Sequence, residues 1–282
     1  MFKRHAEACA SPQTLGEYGG ELDIKRTIVT MNKIASAYQK TRLSADLTFD
    51  RLVPGRANEF ARTAGQQVSM NLARSCNPLY IYGGSGVGKT HLIHAIGNQI
   101  QDQKPDKIVR YVHAEDFYSD VVRSYQRKSF DVFKRYYRSL DVLLLDDVQF
   151  FEGKNRTQEE FFYLFNALIE SEKQIVISCD TYPKEISGLE DRLVTRFCGG
   201  LTVQIQTPDI EMRSAILTKK AEAENMVLDD EVTFYIAKHL CSNVRELEGA
   251  IHRIVAHAHI FSREINLEAV KGILSDIIPI ID

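Results

Sequence analysis

Gly83-Gly84-Ser85-Gly86-Val87-Gly88-Lys89-Thr90 is the stretch that decides the fold, and its neighbours say how to read it. Before it, Leu79-Tyr80-Ile81-Tyr82 is a short apolar run of strand type. After it, Thr90-His91-Leu92-Ile93-His94-Ala95-Ile96 places apolar residues at helical spacing. A G-x-x-x-x-G-K-[ST] pattern between a strand and a helix predicts a loop that cradles phosphates. Glycines let backbone N–H groups curl around an anion, and the helix N-terminus adds the positive end of its dipole. In such a loop Lys89 reaches the β- and γ-phosphates and the Thr90 hydroxyl ligates Mg²⁺. Without that flanking context the same residues would read as a glycine-rich turn.

A nucleotide site of this kind needs an acidic element as well. Val142-Leu143-Leu144-Leu145 is a continuous apolar run bounded by Asp141 and by Asp146-Asp147. Such a run reads as a strand buried on both faces of a parallel sheet. Sheets of this class bind ligands at their strand carboxyl ends, which would put the two acids beside the phosphate loop. Asp146 would then hold Mg²⁺ through water and Asp147 would polarise the attacking water. A solvated acidic turn is the alternative. Together the two elements imply a nucleoside triphosphate, ATP or ADP with Mg²⁺.

Composition narrows the setting. With 282 residues there is room for a large core in one or two domains. The net charge of −3 carries no global bias, so any nucleic-acid contact must use a local patch. Five widely spaced cysteines (Cys9, Cys76, Cys179, Cys198, Cys241) form no C-x-x-C pair, which favours reduced thiols in the cytoplasm over a disulfide frame or a zinc site. His252, His257 and His259 lack an H-E-x-x-H pattern, and surface or packing roles suit them better than a metal. No apolar run reaches membrane-spanning length, and no signal h-region opens the chain.

The chain reads as three sections. Residues 1–46 are interrupted by Gly16, Gly19 and Gly20 and are hard to place; Thr27 to Gln39 has the pattern of one helix. Residues 47–207 alternate strands and helices, with strands expected at Leu79–Tyr82, Ile108–Val112, Val142–Leu145, Gln174–Ser178 and Leu201–Ile205. That alternation predicts an α/β fold, a parallel sheet of five strands covered by helices on both faces. After Thr207-Pro208 the strand signals stop, and residues 208–282 read as consecutive helices over Ile210–Asn225, Asp230–Leu240, Asn243–Phe261 and Leu267–Ser275.

The order of phosphate loop, Leu-Leu-Asp-Asp strand, polar-ended strand, Asp-Arg-Leu…Arg-Phe segment and helical lid resembles the AAA+ ATPases. Within them the wording is closest to the bacterial replication initiators of the DnaA family. The resemblance runs through Leu47-Thr48-Phe49-Asp50, Gly83–His91, Phe133-Lys134-Arg135-Tyr136-Tyr137-Arg138-Ser139 and Asp146-Asp147-Val148-Gln149-Phe150-Phe151. It continues in Gln158-Glu159-Glu160-Phe161-Phe162, Tyr182-Pro183-Lys184-Glu185-Ile186, Glu190–Phe197 and Asn243-Val244-Arg245-Glu246-Leu247-Glu248-Gly249-Ala250. It covers about residues 47 to 278 and leaves the first 46 outside.

That resemblance implies roles residue by residue. Gly83, Gly84, Ser85, Gly86, Val87, Gly88, Lys89, Thr90 and His91 would line the nucleotide. Asp180 would be the first sensor, feeling the γ-phosphate through water, although Asp180-Thr181-Tyr182-Pro183 also suits a strand-ending turn. Arg196 would be an arginine finger inserted against a neighbouring protomer's phosphates, with Arg192 buttressing the same contact. Without the resemblance, both would be read as solvated surface charges. Arg245 follows a helix cap at Asn243, with Glu246 three residues on, and would be the second sensor, reaching from the lid to the nucleotide.

Phe117–Arg138 suggests a second activity. It holds six basic residues against two acidic ones, interleaved with seven aromatics. Basic charge with aromatic rings suits a single-strand channel, yet Phe130, Phe133 and Tyr137 have helical spacing and would equally face a core. In the DnaA family an extra helical insertion here grips one strand, and the resemblance then puts Val122, Lys154 and Arg156 on single-stranded DNA. It further implies a head-to-tail oligomer of the chain itself, slow ATP hydrolysis as an off switch, and contacts with replication regulators or a helicase.

The family normally continues past a connecting helix into a helix-turn-helix domain that reads duplex origin boxes, and this chain stops near that junction. The expectation is a truncated initiator or a DnaA-like regulator of the Hda kind, binding single-stranded rather than duplex DNA. Such regulators dock on the sliding clamp through an N-terminal Gln-Leu-type peptide, for which Gln13-Thr14-Leu15 is a poor candidate. An AAA+ helicase or clamp loader is the remaining alternative.

Overall fold

The computed structural model describes residues 41–74, 76–241, 243–261 and 265–278. The helix expected at Thr27 to Gln39 and the peptide Gln13-Thr14-Leu15 lie outside them. Residues 42–282 form one compact unit.

Helix α1 (Glu59–Met70) leads into β1 (Leu79–Tyr82), the phosphate-loop stretch and α2 (Lys89–Gln103). There follow β2 (Val109–His113), α3 (Ala114–Gln126), α4 (Phe130–Arg138), β3 (Val142–Asp146), α5 (Asn155–Glu170) and β4 (Gln174–Cys179). Helix α6 (Asp191–Cys198) and β5 (Leu201–Gln204) complete the sheet, which is parallel throughout with the order β2-β3-β4-β1-β5. Four helices come last: α7 (Ile210–Ala223), α8 (Asp230–His239), α9 (Val244–Phe261) and α10 (Leu267–Ile273).

The apolar runs that announced the strands are buried on alternate faces. Leu79, Ile81, Val142 and Leu144 face one core with Leu92, Ile93 and Ile96 of α2. Tyr80, Leu143, Leu145, Ile175 and Ile177 face the other, where Phe117, Phe133, Tyr137, Phe161, Phe165 and Phe197 pack. A strand covered on both faces needs apolar residues at every position, which is why β3 reads as an unbroken run. A third core holds the last helices together through Ile216, Leu217, Ile236, Leu247, Ile251, Ile254 and Val270. Ala57, from before α1, is buried in that third core. The helical cluster is therefore built partly from residues upstream of the sheet, a connection no local pattern announces.

Candidate functional site

The loop between β1 and α2 is shaped by backbone approach. Gly83 passes so close to β5 that an added Cβ would fall 2.2 Å from the Ile205 carbonyl oxygen. Gly88 takes φ +105° at the start of α2, a conformation costly for a residue with a side chain. Between them, the N–H groups of residues 84–88 donate to no group among the described residues. A turn of unsatisfied donors at a helix N-terminus is the chemistry that receives a phosphate chain.

Lys89 is buried within this loop. Its Nζ donates to the Gly83 and Gly84 carbonyls at 2.8 and 2.9 Å and to Asp180 Oδ1 at 2.6 Å. Its ammonium thus sits where Asp180, at the end of β4, can exchange it with an incoming anion. Asp146 is buried at the end of β3, and its Oδ2 accepts from Thr90 Oγ1 at 2.8 Å and from the Tyr111 hydroxyl at 2.8 Å. Ser178 Oγ donates to the other carboxylate oxygen of Asp146 and accepts the Asp147 N–H at 2.9 Å. A hydroxyl and a carboxylate brought together at the phosphate loop are hard oxygen donors of the kind Mg²⁺ takes.

Asp147 adopts φ +58°, a left-handed conformation that aspartate tolerates. Its carboxylate is held by His113 Nε2 at 3.1 Å and Gln149 Nε2 at 3.1 Å. The other ring nitrogen of His113 accepts the Glu115 N–H at 3.3 Å, capping α3, so Nε2 carries the proton given to Asp147. One histidine therefore joins the second acid to the next helix. The structure brings together Lys89, Thr90, Asp146, Asp147 and Asp180, and adds Tyr111, Ser178, His113 and Gln149, which sequence reading missed. Ser178 was visible as the polar end of an expected strand; Tyr111 becomes visible only once β2 and β3 are in register.

The helical cluster closes on the same loop. The Val244 N–H donates to the Gly86 carbonyl at 2.9 Å, and Arg245 Nη1 donates to Ser85 Oγ at 3.0 Å. Asn243 caps α9 by accepting the Glu246 N–H at 3.0 Å while its amide reaches Glu246 Oε1 at 3.2 Å. His91 turns the other way, bonding the Thr48 carbonyl at 2.8 Å; burial lowers its pKa, and the bond to Thr48 opposes that shift.

Arg192 and Arg196 lie on the exposed side of α6 and make none of these contacts among the described residues. Arg192 Nε donates to Glu190, and the guanidinium lies over the Phe162 ring at 4.7 Å. Arg196 has no side-chain hydrogen bond or ion pair among the described residues.

On another face, α3 meets the start of α5. Lys154 Nζ sits 3.8 Å above the Phe150 ring and 5.6 Å from that of Tyr118. Arg156 bonds Glu159 at 2.8 Å and lies 4.9 Å over the Tyr125 ring. Val122 is placed between Tyr118 and Tyr125 on the same helix face by the three- and four-residue spacing. The three residues assigned to a DNA strand thus share one surface. In contrast, Phe117, Phe133 and Tyr137 are buried in the core, so much of the aromatic interleaving in this stretch is the inner face of two helices.

The profile of the bacterial DnaA ATPase domain matches residues 43–204. The chromosomal replication initiator protein DnaA of Dechloromonas aromatica is 67% identical over 243 residues, covering 86% of this chain and 52% of that protein. The chain spans about half the length of the curated relatives it matches. The crystal structure of domain III of the Thermotoga maritima replication initiation protein DnaA superposes with a TM-score of 0.82 at 40% identity, covering 85% of this chain and 100% of that one. A replication initiator DnaA bound to AMPPCP and single-stranded DNA superposes with a TM-score of 0.71 at 38% identity, over 79% of this chain and 70% of that one.

Proposed function

Because the chain belongs to the bacterial DnaA ATPase-domain family, we propose that it is the nucleotide-switched assembly module of a replication initiator acting in the cytoplasm. The observation that carries this reading is the loop end of the sheet. There Lys89, Thr90 and Asp146 converge, and Arg245 reaches Ser85 from the helical cluster. Residues 47–207 form the nucleotide-binding domain and residues 208–282 the lid, with residues 1–46 as an N-terminal segment.

The unsatisfied N–H groups of residues 84–88 take the phosphates of ATP, and Lys89 leaves Asp180 to follow them. Thr90 and Asp146 would hold Mg²⁺, which supplies charge neutralisation between the phosphates when bound. Asp147, oriented by His113 and Gln149, accepts a proton from the attacking water, and Asp180 senses the terminal phosphate. Arg245 follows the nucleotide and carries α9 with it. Arg196, free at the surface of one protomer, completes the site of the next and is buttressed by Arg192. Repetition of that head-to-tail contact builds an open helical filament, with slow hydrolysis to ADP as the release step. Val122, Lys154 and Arg156 then grip one DNA strand and help melt an origin.

Sedimentation with ATP, ADP and a single-stranded oligonucleotide tests the reading. ATP should promote assembly, ADP should not, and the oligonucleotide should travel with the ATP-bound species. Failure to retain adenine nucleotide with magnesium would overturn it. Nucleotide binding without any oligonucleotide binding would instead indicate a regulatory ATPase acting on a full-length initiator.

A further inference from the structure

Gln158 is fully buried on α5, one turn after Lys154 and two residues after Arg156. Its carboxamide is saturated by two separate segments. Nε2 donates to the Phe151 carbonyl at 2.8 Å and to the Gly188 carbonyl at 2.8 Å, while Oε1 accepts the Glu190 N–H at 2.8 Å. Phe151 belongs to the turn that leads from Asp147 into α5, and Glu190 is the residue on which α6 begins.

These two segments also touch directly. The Gly153 N–H reaches the Gly188 carbonyl at 3.4 Å. An added Cβ at Gly188 would lie 3.2 Å from Glu152 Cγ and 3.3 Å from Gly153 N, and Gly188 has φ +65°. Further along α5, Phe162 receives the Arg192 guanidinium. One helix therefore carries Arg156 at its exposed start and roots the helix that bears Arg192 and Arg196.

An apolar side chain would fill the Gln158 site without desolvating an amide. A buried amide with both donors engaged instead fixes the geometry of whatever it joins. We propose that Gln158 is a positioning residue that locks the arginine-finger helix α6 to the strand-contacting end of α5, so that strand capture and ATP-dependent assembly act on one rigid unit. This rests on the proposed function: Arg196 acts across a protomer contact, and Lys154 and Arg156 act on DNA. Energetic coupling of this kind is reciprocal, so a bound strand promotes assembly by the factor by which assembly tightens strand binding.

The test uses the full chain and Gln158→Met, which keeps the side chain's length and removes its amide. ATP affinity of the unassembled protein, thermal melting, and sedimentation in ATP with and without a deoxythymidine oligonucleotide are compared. In the native chain the oligonucleotide should promote assembly roughly tenfold, and in Gln158→Met less than about twofold, with ATP affinity unchanged and melting lowered because the Glu190 N–H loses its acceptor. A general packing defect would lower ATP affinity along with melting, whereas loss of the lock alone leaves ATP affinity in place. An unchanged tenfold stimulation in the variant overturns the role of Gln158, as does loss of ATP affinity in step with assembly. Should Gln158→Met fail to fold, Gly188→Ala presses the same loop away from residues 152–153 and loosens the bond from the Gln158 amide to the Gly188 carbonyl. It carries the same two outcomes. If the native chain neither assembles with ATP nor binds the oligonucleotide, the proposed function falls and this inference with it. If the native chain does both and the variant behaves identically, only the role of Gln158 falls.

Discussion

At the loop end of the sheet, Lys89, Asp146 and Asp147 are each held by neighbours within the chain; on the exposed face of α6, Arg196 has no such partner among the described residues. The first region is an arrangement of exchangeable pairs. Lys89 rests on Asp180 and two carbonyls, and a phosphate can replace them without creating a buried unpaired charge. In the second region the Arg196 guanidinium has no charged or hydrogen-bonding partner among the described residues of its own protomer. Charge paired inside serves a ligand that enters, and charge left outside serves a molecule that docks. Substitutions should separate the two cleanly.

The largest expected effect is at the interior. Lys89→Ala removes a charge-assisted grip on two phosphates, and nucleotide binding should weaken by roughly a hundredfold or more. Equilibrium binding of a fluorescent ATP analogue measures this directly; affinity within a few-fold of the native chain would remove Lys89 from the phosphate site. Arg196→Ala gives the opposite pattern. ATP affinity should stay within about twofold because that guanidinium bonds nothing among the described residues, while ATP-dependent assembly in sedimentation should disappear. Normal assembly of this variant with ATP would mean that the finger lies elsewhere.

Arg245 stands between the two regions, since it joins the helical cluster to the loop through a single bond to Ser85. Arg245→Ala should weaken ATP about tenfold and reduce the difference between ATP and ADP affinities, the signature of a lid that no longer senses the terminal phosphate. Equal loss for both nucleotides would reduce Arg245 to a general binding contact. On the DNA-facing surface, Arg156→Ala should lower oligonucleotide affinity about tenfold and flatten the salt dependence by about 0.7 in log–log slope, as expected for one lost phosphate contact to a single strand. A titration across salt concentrations reads both values, and an unchanged slope would place Arg156 off the backbone.

Legibility in the sequence follows the same division. The sheet could be read because its central strands β1, β3 and β4 are buried on both faces; the strand ends expected from the sequence shift by a residue or so where residues such as His113 and Cys179 extend the ladder. Lys89, Thr90 and the two acids could be read because their chemistry is compressed into short motifs. The residues that hold them could not. Ser178, Tyr111 and His113 reach Asp146 and Asp147 across neighbouring strands, and that proximity exists only after the sheet has formed. Arg196 is the limiting case, because a free surface arginine carries no local signal and stands out only through family resemblance.

The smallest effect sharpens the account of the DNA-facing surface from beneath. Asp120, on α3, accepts the Tyr137 hydroxyl at 2.9 Å and so fastens α4 to α3. Burial raises its pKa, and the bond from Tyr137 only partly opposes this. The folded chain therefore takes up this proton at a higher pH than the unfolded chain does. The sign follows from linkage: at neutral pH the buried carboxylate costs stability, and the cost disappears as the pH falls through the raised value toward the ordinary aspartate range. Asp120→Asn, which keeps an acceptor for Tyr137 without the charge, should slightly raise the melting temperature at pH 7. That advantage should shrink steadily toward pH 4, since the native side chain is then itself neutral. A lower melting temperature for Asp120→Asn at pH 7 would mean that the attraction of Arg42, Arg123 and Arg110 outweighs desolvation. The surface carrying Val122 would then be held by ion pairing rather than by a neutral hydrogen bond.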